Sequence, residues 1–460
     1  MTHHYGDDDP ISAPATVQGE SALAVIRTSG KNSIDLLAQI FSRSNALKTA
    51  KGNSVIYGWI INGKEKIDEV LVSVYRAPKS YTGEDSADIS CHGGIATVNA
   101  IMRFLNSIGF RPALPGEFTF RAFMNGKLDL TKAESVMELV SSKTDIGRRQ
   151  AVNRLSGILE KEINEIKKLL VESLASAELF LDYSEDEIGS IEEEKGILPH
   201  RNLVEKSLIS LYKLAESYRI ERIYQNGALV VIAGKPNSGK SSLFNLLIKE
   251  DRSIVTDIPG TTRDWISAQI SLEGIPIHLA DTAGLRDTKN AVEKIGVEKS
   301  RELLETADLV IYLIDGILGL MYEDEFFLKN NKKETIIVWN KIDTSPKPET
   351  FPLNLIGISA KTGKGVLDLS SEIVSHLARS FRGLERNALS PAIATERQKK
   401  LIDSAIENLE DVLKLSEERK ALDIIAPRIR ESINALGEIT GEVSTTEILE
   451  VMFSNFCVGK

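Results

Sequence analysis

The sequence predicts a multidomain α/β protein, with an N-terminal α+β domain, an all-α helical domain and a mostly parallel doubly wound sheet inserted into the helical domain. The length of 460 residues exceeds what one hydrophobic core usually organises. Strand-like and helix-like runs alternate between residues 227 and 382, which is typical of repeated βα units. Apolar residues recur at helical spacing on both sides of that region, which indicates a helical domain interrupted by an insertion.

The N-terminal domain mixes both kinds of element. Strand-like runs at 23–28, 54–61 and 69–75 precede a helical stretch at 94–107, which favours a compact α+β module. The predicted boundaries are 1–128 for this domain, 129–226 for the first part of the helical domain, 227–382 for the inserted sheet domain and 383–460 for the second part of the helical domain.

Long packed helices are predicted after Thr131, because apolar residues follow one helical face. That face is marked by Leu155, Ile158, Leu159, Ile163, Ile166, Leu169, Leu170 and Leu174. A second helix is predicted at 203–224, and two amphipathic helices are predicted at 396–413 and 421–436.

Composition and charge limit the possible classes of protein. Apolar residues at 42% and charged residues at 27% are ordinary for a globular chain, and no apolar run is long enough to span a bilayer. The N-terminus lacks the pattern of a secretion signal, so we expect a cytoplasmic protein without a membrane partner. Two cysteines exclude a disulfide framework and a multi-cysteine zinc site. The net charge of −10 argues against a protein whose whole surface binds a nucleic-acid backbone, and we expect no DNA partner, although a local basic patch is compatible with this charge.

A phosphate-binding loop is predicted where an apolar strand at 229–233 meets Gly234-Lys-Pro-Asn-Ser-Gly-Lys-Ser241 and a helix follows. Gly234 and Gly239 let the backbone curl, so that N–H groups face the phosphates. Lys240 should bridge the β- and γ-phosphates, and the hydroxyl of Ser241 should bind Mg²⁺. The predicted nucleotide contacts in this loop are Asn237, Ser238, Gly239, Lys240, Ser241 and Ser242. A glycine-rich turn without a ligand is the alternative.

Two later segments predict that the nucleotide is GTP. Asn340, Lys341 and Asp343 follow a strand, and a carboxylate at Asp343 can accept hydrogen bonds from guanine N1–H and its exocyclic amine. The segment Ser359-Ala360-Lys361 also follows a strand and can offer N–H groups to the guanine carbonyl. Each string alone could be an ordinary loop, but the order after a phosphate-binding loop favours guanine recognition.

Two switch segments are predicted between these motifs. Asp281 can hold Mg²⁺ through water, and the N–H of Gly284 can sense the γ-phosphate. Upstream, Thr262 supplies a second hydroxyl for Mg²⁺. Arg286 stands close behind Gly284, where a Ras-like switch carries a water-positioning Gln. Glu293 is a candidate for that role by spacing, and a solvated helical glutamate is the alternative.

The chain resembles the MnmE (TrmE) family of tRNA-modification GTPases over essentially its entire length. The motifs that carry the resemblance are the phosphate-binding loop, Gly260-Thr-Thr-Arg-Asp264, Asp281-Thr-Ala-Gly-Leu-Arg286, Tyr81-Thr-Gly-Glu-Asp85, His92-Gly-Gly94, Pro115-Gly-Glu-Phe118, Asn125-Gly-Lys-Leu-Asp-Leu130 and the terminal Cys457-Val-Gly-Lys460. The terminal tetrapeptide discriminates best, because ribosome-assembly GTPases that share the nucleotide motifs lack it.

The resemblance implies a Ras-like G domain with Lys240, Thr262 and Glu293 as its catalytic residues, the last orienting the attacking water. It also implies a homodimer in which K⁺ replaces an arginine finger. The implied ligands are Ser241 and Thr262 for Mg²⁺, Asn237, Thr256, Ile258 and Thr261 for K⁺, and the nucleotide contacts above together with Thr256, Thr261, Asp281 and Gly284 for GTP.

The resemblance further implies a folate site in the N-terminal domain, for 5-formyl-tetrahydrofolate or methylene-tetrahydrofolate. Its implied residues are Arg27, Asp88, Lys127, Cys457 and Lys460. Asp88 stands where the family commonly has Glu, and the early turn at 17–22 is poorer in glycine than the family pattern. From the residues alone, Arg27 and Lys127 are ordinary surface cations.

The expected function is GTP hydrolysis coupled to addition of a (carboxymethyl)aminomethyl group to C5 of wobble uridine in tRNA. The implied partner is an FAD-dependent MnmG (GidA)-type protein in a heterotetramer. A ribosome-assembly or RNA-binding switch GTPase is the main alternative. An aminomethyltransferase-like enzyme with a purely regulatory G domain is the second.

Overall fold

The computed structural model describes most of the chain and forms two compact units. The described residues are 5, 8–142, 144–182, 198–250, 267–281, 302–348, 354–379, 390–443, 446–454 and 456–459. The first unit contains Met1–Val140, Arg154–Leu211 and Lys400–Lys460, and the second contains Ser141–Asn153 and Tyr212–Lys399. The domain boundaries given above stay predictions.

Twelve labelled strands and fourteen labelled helices are used below. The strands are β1 (Ile11–Pro14), β2 (Ala24–Ser29), β3 (Ser54–Asn62), β4 (Glu65–Tyr75), β5 (Ser86–Cys91), β6 (Arg111–Pro112), β7 (Ala228–Gly234), β8 (Ser267–Leu272), β9 (Ile275–Asp281), β10 (Leu309–Asp315), β11 (Thr335–Asn340) and β12 (Leu355–Gly357). The helices are α1 (Ser33–Leu37), α2 (Ser44–Lys48), α3 (Ile95–Ser107), α4 (Glu117–Met124), α5 (Leu130–Ser141), α6 (Asp145–Leu155), α7 (Ile158–Asp182), α8 (Arg201–Asn226), α9 (Lys240–Glu250), α10 (Tyr322–Asn330), α11 (Val366–Arg379), α12 (Glu396–Glu417), α13 (Leu422–Thr440) and α14 (Thr446–Ser454).

The sheet of the first unit has the order β3-β4-β5-β2-β1-β6. Its pairs are antiparallel except for β1 with β6. Alternate residues of β4 are buried, including Val70, Val72 and Val74, because successive side chains of a strand point to opposite faces. These residues share one hydrophobic core with Ile101 and Leu105 of α3. The predicted α+β fold is confirmed here.

The long helix α7 carries the predicted apolar stripe from Ile158 onward, whereas Leu155 ends α6 and a turn separates the two helices. Leu159, Ile163, Ile166 and Leu170 are buried, as the helical spacing requires, and α7 packs against α13. No helix among the described residues combines the length and the apolarity needed to cross a bilayer.

The sheet of the second unit has the order β12-β11-β10-β7-β9-β8. Five of these strands run parallel, and the edge strand β8 is antiparallel to β9. Every residue of β10 is buried, because helices cover both faces of a doubly wound sheet. The chain winds from β7 toward β9 on one side and β10 on the other, which makes the carboxyl end of β7 the topological switch point where ligands bind. The predicted doubly wound sheet is confirmed.

A buried ionic network joins β6 to α4 in the first unit. The carboxylate of Glu117 is fully buried and accepts hydrogen bonds from the Nη1 and Nη2 atoms of Arg111 at 2.8 and 2.6 Å and from Nη2 of Arg121 at 2.9 Å. Burial favours a raised pKa for Glu117, but Arg111, the N–H of Leu114 and Arg121 outweigh it and lower the pKa below 4.5. The carboxylate is therefore ionised at neutral pH.

Replacing Glu117 with glutamine is expected to lower the free energy of unfolding by about 3 kcal/mol, because two buried guanidinium groups lose their buried carboxylate partner and keep only the more exposed Glu84 and Asp9. The pKa of Glu117 is lowered in the folded state, so its contribution is complete above its ordinary pKa and is lost as the pH falls through the folded value. The difference between wild type and variant in thermal unfolding should therefore shrink below about pH 4.5. As a control, Glu205→Gln breaks the exposed pair with Arg201 and should cost less than about 1 kcal/mol. Equal losses for the two variants would contradict the assignment.

Candidate functional site

The phosphate-binding loop connects the end of β7 to the start of α9. Gly239 has a φ of 101°, and a Cβ there would lie 2.2 Å from Nδ2 of Asn340, so only glycine fits. Gly234 has a φ of 142°, and its Cβ would meet the carbonyl oxygen of Leu313 at 2.5 Å. Asn237 adopts a left-handed φ of 63°. The two glycines thus let the loop approach β10 and β11 closely.

Lys240 is held inside the loop. Its side chain is buried, and Nζ donates hydrogen bonds to the carbonyl oxygens of Gly234 at 2.9 Å and Lys235 at 2.7 Å. Two backbone carbonyl groups therefore fix the ammonium group at the start of α9, where the helix dipole also favours negative ligands. This arrangement concentrates positive charge at the switch point of the sheet.

Ser241 and Asp281 bring two oxygen groups together from different elements. The Oγ atom of Ser241, in the first turn of α9, donates to Oδ2 of Asp281, at the end of β9, at 2.9 Å. Asp281 is buried. A hydroxyl and a carboxylate side by side suit a hard divalent cation such as Mg²⁺. Ser242 is exposed in the same turn.

Asn340 joins three segments of the second unit. Its Nδ2 donates to the carbonyl oxygen of Ser238 at 2.7 Å, while its Oδ1 accepts from the N–H groups of Lys341 at 2.8 Å and Ala360 at 2.9 Å. The side chain is buried, so these bonds are shielded from water. The phosphate-binding loop and both predicted guanine-binding segments therefore meet at one side chain.

Asp343 lies on an exposed turn beside Ser359 and Lys361. A hydrogen bond from the hydroxyl of Ser359 is the largest of the effects that lower the pKa of Asp343, and the charge of Lys361 adds to it. The carboxylate is therefore ionised at neutral pH and can accept two hydrogen bonds at once. A base held here would be recognised by its paired donors.

Several predicted site residues lie outside the described part of the chain. They are Thr256, Ile258, Thr261 and Thr262 of the first switch, Gly284 and Glu293 of the second, and the terminal Lys460. Their roles stay predictions.

A second cluster forms in the first unit around Arg27. Arg27 on β2 is opposite Asp88 on β5, and its Nε donates to Asp88 Oδ1 at 3.1 Å. Its Nη1 donates to the carbonyl oxygen of Gly459 at 3.3 Å, although 432 positions separate the two residues. The guanidinium carbon lies 5.7 Å from the ring centre of Tyr81 and 5.9 Å from that of Phe118. A cation, a carboxylate and two aromatic rings are thus brought together.

Two other residues of the predicted folate site, Lys127 and Cys457, make hydrogen bonds that involve backbone carbonyl oxygens. Lys127 donates from Nζ to the carbonyl oxygen of Pro78 at 3.0 Å, in the loop that carries Tyr81. Cys457 is exposed, and its carbonyl oxygen accepts from the N–H of Gly116 at 3.2 Å. The terminal segment therefore lies on the N-terminal sheet and helix α4.

Sequence reasoning missed some contributors to both clusters. Tyr81 and Phe118 belong to motifs that carry the family resemblance, yet no role was predicted for either ring. Asp315 was likewise given no role, although its Oδ2 lies 2.6 Å from Nζ of the predicted site residue Lys341. The available signal was an Asp-Gly pair at the end of the apolar run 309–314.

Known proteins similar to this chain identify its family. The family models that match are "GTP-binding protein TrmE N-terminus" over residues 10–127 and "MnmE helical domain" over residues 130–457. The tRNA modification GTPase MnmE of Treponema denticola is 45% identical, with 99% of each chain covered. The protein of that name from Borreliella burgdorferi is 41% identical over the whole of both chains.

Among solved structures, the G domain of the T. maritima FeoB iron transporter is 27% identical to the matched part. The match covers 32% of this chain and 98% of the FeoB chain, with a TM-score of 0.24. The family assignment does not depend on this match. The two family models and the full-length relatives are sufficient: the chain belongs to the MnmE family of tRNA modification GTPases.

Proposed function

We propose that this chain binds and hydrolyses GTP at the switch point of the second sheet and uses that cycle in tRNA modification. The observation that carries the proposal is the set of hydrogen bonds made by Asn340, which joins the phosphate-binding loop to both guanine-binding segments. Family membership supports the choice of GTP hydrolysis over simple nucleotide binding.

The side chains of this site can favour hydrolysis because they are held in position before the nucleotide binds. The ammonium group of Lys240 is fixed by two carbonyl groups before a nucleotide arrives, so it can stabilise negative charge without reorganisation. Ser241 and Asp281 fit Mg²⁺, which when bound would neutralise charge on the β- and γ-phosphates. Asp343 would orient the nucleotide by its base.

K⁺ is proposed as a second cation, with Asn237 as one ligand. Asn237 is exposed on the phosphate-binding loop, and its side-chain amide provides an oxygen of the kind that monovalent cations bind. Phosphate release from GTP is expected to be at least about 10-fold faster in KCl than in NaCl at equal ionic strength, because a cation beside the phosphates stabilises the developing charge. Asn237→Ala should remove the difference, whereas equal wild-type rates in the two salts would refute the K⁺ assignment.

The cluster around Arg27 is proposed to bind a tetrahydrofolate. A flat heterocycle with a carboxylate tail suits a site that combines aromatic rings, a cation and a carboxylate. Asp88 and Arg27 would recognise polar edges of the ligand, with Lys127, Cys457 and Lys460 as further contacts.

Replacing Arg27 with alanine is expected to weaken 5-formyl-tetrahydrofolate binding by about 10-fold or more, because a charge-assisted hydrogen bond is lost. Calorimetry on the full chain measures this directly. Arg43→Ala serves as the control, because Arg43 contacts Tyr57 through an exposed hydrogen bond in the same domain. Unchanged affinity in Arg27→Ala would exclude Arg27 from the site.

The proposed cellular role is addition of a (carboxymethyl)aminomethyl group to C5 of wobble uridine. It is proposed to require a homodimer of this chain and an FAD-dependent MnmG-type partner in a heterotetramer. Mass analysis of wobble uridines in tRNA tests this role: cells that lack the protein should lose the modification, and Lys240→Ala should fail to restore it. Full modification without the protein would refute the role.

A further inference from the structure

Asp315 is the last residue of β10, and each oxygen of its almost fully buried carboxylate has a hydrogen-bond partner. Its Oδ2 lies 2.6 Å from Nζ of Lys341, and its Oδ1 accepts from the N–H of Ile317 at 3.0 Å. The side chain is 8% exposed, so the pair with Lys341 is only weakly screened by water. Asp315 therefore ties the turn after β10 to the residue that follows β11.

The backbone strengthens this connection. Asp315 and Asn340 are partners in the register of β10 and β11, and the N–H of Gly316 donates to the carbonyl oxygen of Asn340 at 3.0 Å. A Cβ on Gly316 would lie 2.4 Å from that same oxygen, so the turn after β10 packs directly against the end of β11. The position of the Asp315 carboxylate relative to Lys341 is thus fixed by the sheet.

Lys341 needs such support because of its backbone conformation. Its φ of 69° is left-handed, which is unfavourable for a residue with a side chain. The carbonyl oxygen of Lys341 accepts from the N–H groups of Thr344 and Ser345, each at 2.9 Å, so the turn that carries Asp343 starts from this residue. The direction of the Asp343 carboxylate therefore depends on the conformation of Lys341.

We propose that Asp315 is a positioning residue for guanine recognition: it anchors Lys341 and thereby fixes the turn that presents Asp343. The inference deepens the proposed function and rests on it. Asp315 itself is not expected to touch the nucleotide.

The test compares GTP with ITP, whose base lacks the exocyclic amine and so makes one hydrogen bond fewer to a carboxylate. Asp315→Asn keeps the shape but removes the charge that holds Lys341. Its GTP affinity is expected to fall by about 10-fold and its ITP affinity by less, so the preference for GTP shrinks. The value of kcat at saturating GTP should stay within about 2-fold, because the phosphate-binding loop is unaltered.

Two further variants make the result specific. Glu323→Gln removes an exposed acid of α10 that pairs with Lys235 at 2.7 Å, and its preference for GTP over ITP should equal that of wild type. Lys341→Met should reproduce the loss of preference, and adding Asp315→Asn to it should change little, because both act through one contact. If Asp315→Asn does not fold, Asp315→Ser, which also removes the charge that pairs with Lys341, is measured in its place.

The outcomes separate the inference from the proposed function. An unchanged preference in folded Asp315→Asn, equal losses for GTP and ITP, or additive effects with Lys341→Met would each overturn the positioning role. If wild-type protein binds neither nucleotide, the proposed function itself fails.

Discussion

Replacing Lys240 with alanine is expected to lower kcat/KM for GTP by about 10³-fold, as judged from the loss of other preorganised charge-stabilising groups. The ammonium group is buried and already oriented by two carbonyl oxygens, and the methyl group of alanine carries no charge to take its place. The effect should appear in kcat as well as in KM, because charge on the transferred group increases in the transition state. Steady-state phosphate release by the purified chain measures both constants.

The matched control for this variant is Lys235→Ala in the same loop. The side chain of Lys235 pairs with Glu323 rather than with carbonyl groups of the loop, so its removal should change kcat/KM by less than about 5-fold. Similar losses in the two variants would indicate that general positive charge matters, and the specific role of Lys240 would be abandoned.

Replacing Asp343 with asparagine is expected to weaken GTP binding by at least about 10²-fold, because a site built to accept two donors is left with one acceptor and an unpaired amide. The same change should improve binding of xanthosine triphosphate, whose carbonyl at C2 can accept from the new amide. Competition binding with GTP and xanthosine triphosphate gives both affinities in one experiment.

Asp368→Asn is the control for this specificity change. Asp368 is an exposed carboxylate in the first turn of α11, so its neutralisation alters the charge of the same unit without altering the turn of Asp343. Unchanged GTP affinity in Asp343→Asn, or an equal change in Asp368→Asn, would contradict guanine recognition by Asp343.

Much of the fold could be predicted because its strands and helices follow patterns of apolar residues and glycines that are local in the sequence. The apolar run of β10 is buried at every position. The glycine-rich segment from Gly234 to Ser241, between a strand and a helix, can adopt few backbone conformations. The parallel sheet then determines which loops meet at one edge, so Asn340 and Ala360 could be expected near the phosphate-binding loop.

Contacts between distant segments could not be predicted from local pattern. The hydrogen bond from Arg27 to Gly459 depends on where the terminal segment lies, and no spacing in the sequence encodes that position. The anchoring of Lys341 by Asp315 likewise depends on the register of β10 and β11, which a single strand does not specify. For these residues the family resemblance or the structure was needed.

One guanine nucleotide is expected to extend from the phosphate-binding loop to the turn of Asp343. A crystal structure of the full chain with Mg²⁺ and a non-hydrolysable GTP analogue would show whether it does. We expect Nζ of Lys240 to contact the β- and γ-phosphates while both carboxylate oxygens of Asp343 accept hydrogen bonds from guanine. A nucleotide that contacts one of these two side chains and leaves the other facing a different cavity would contradict it.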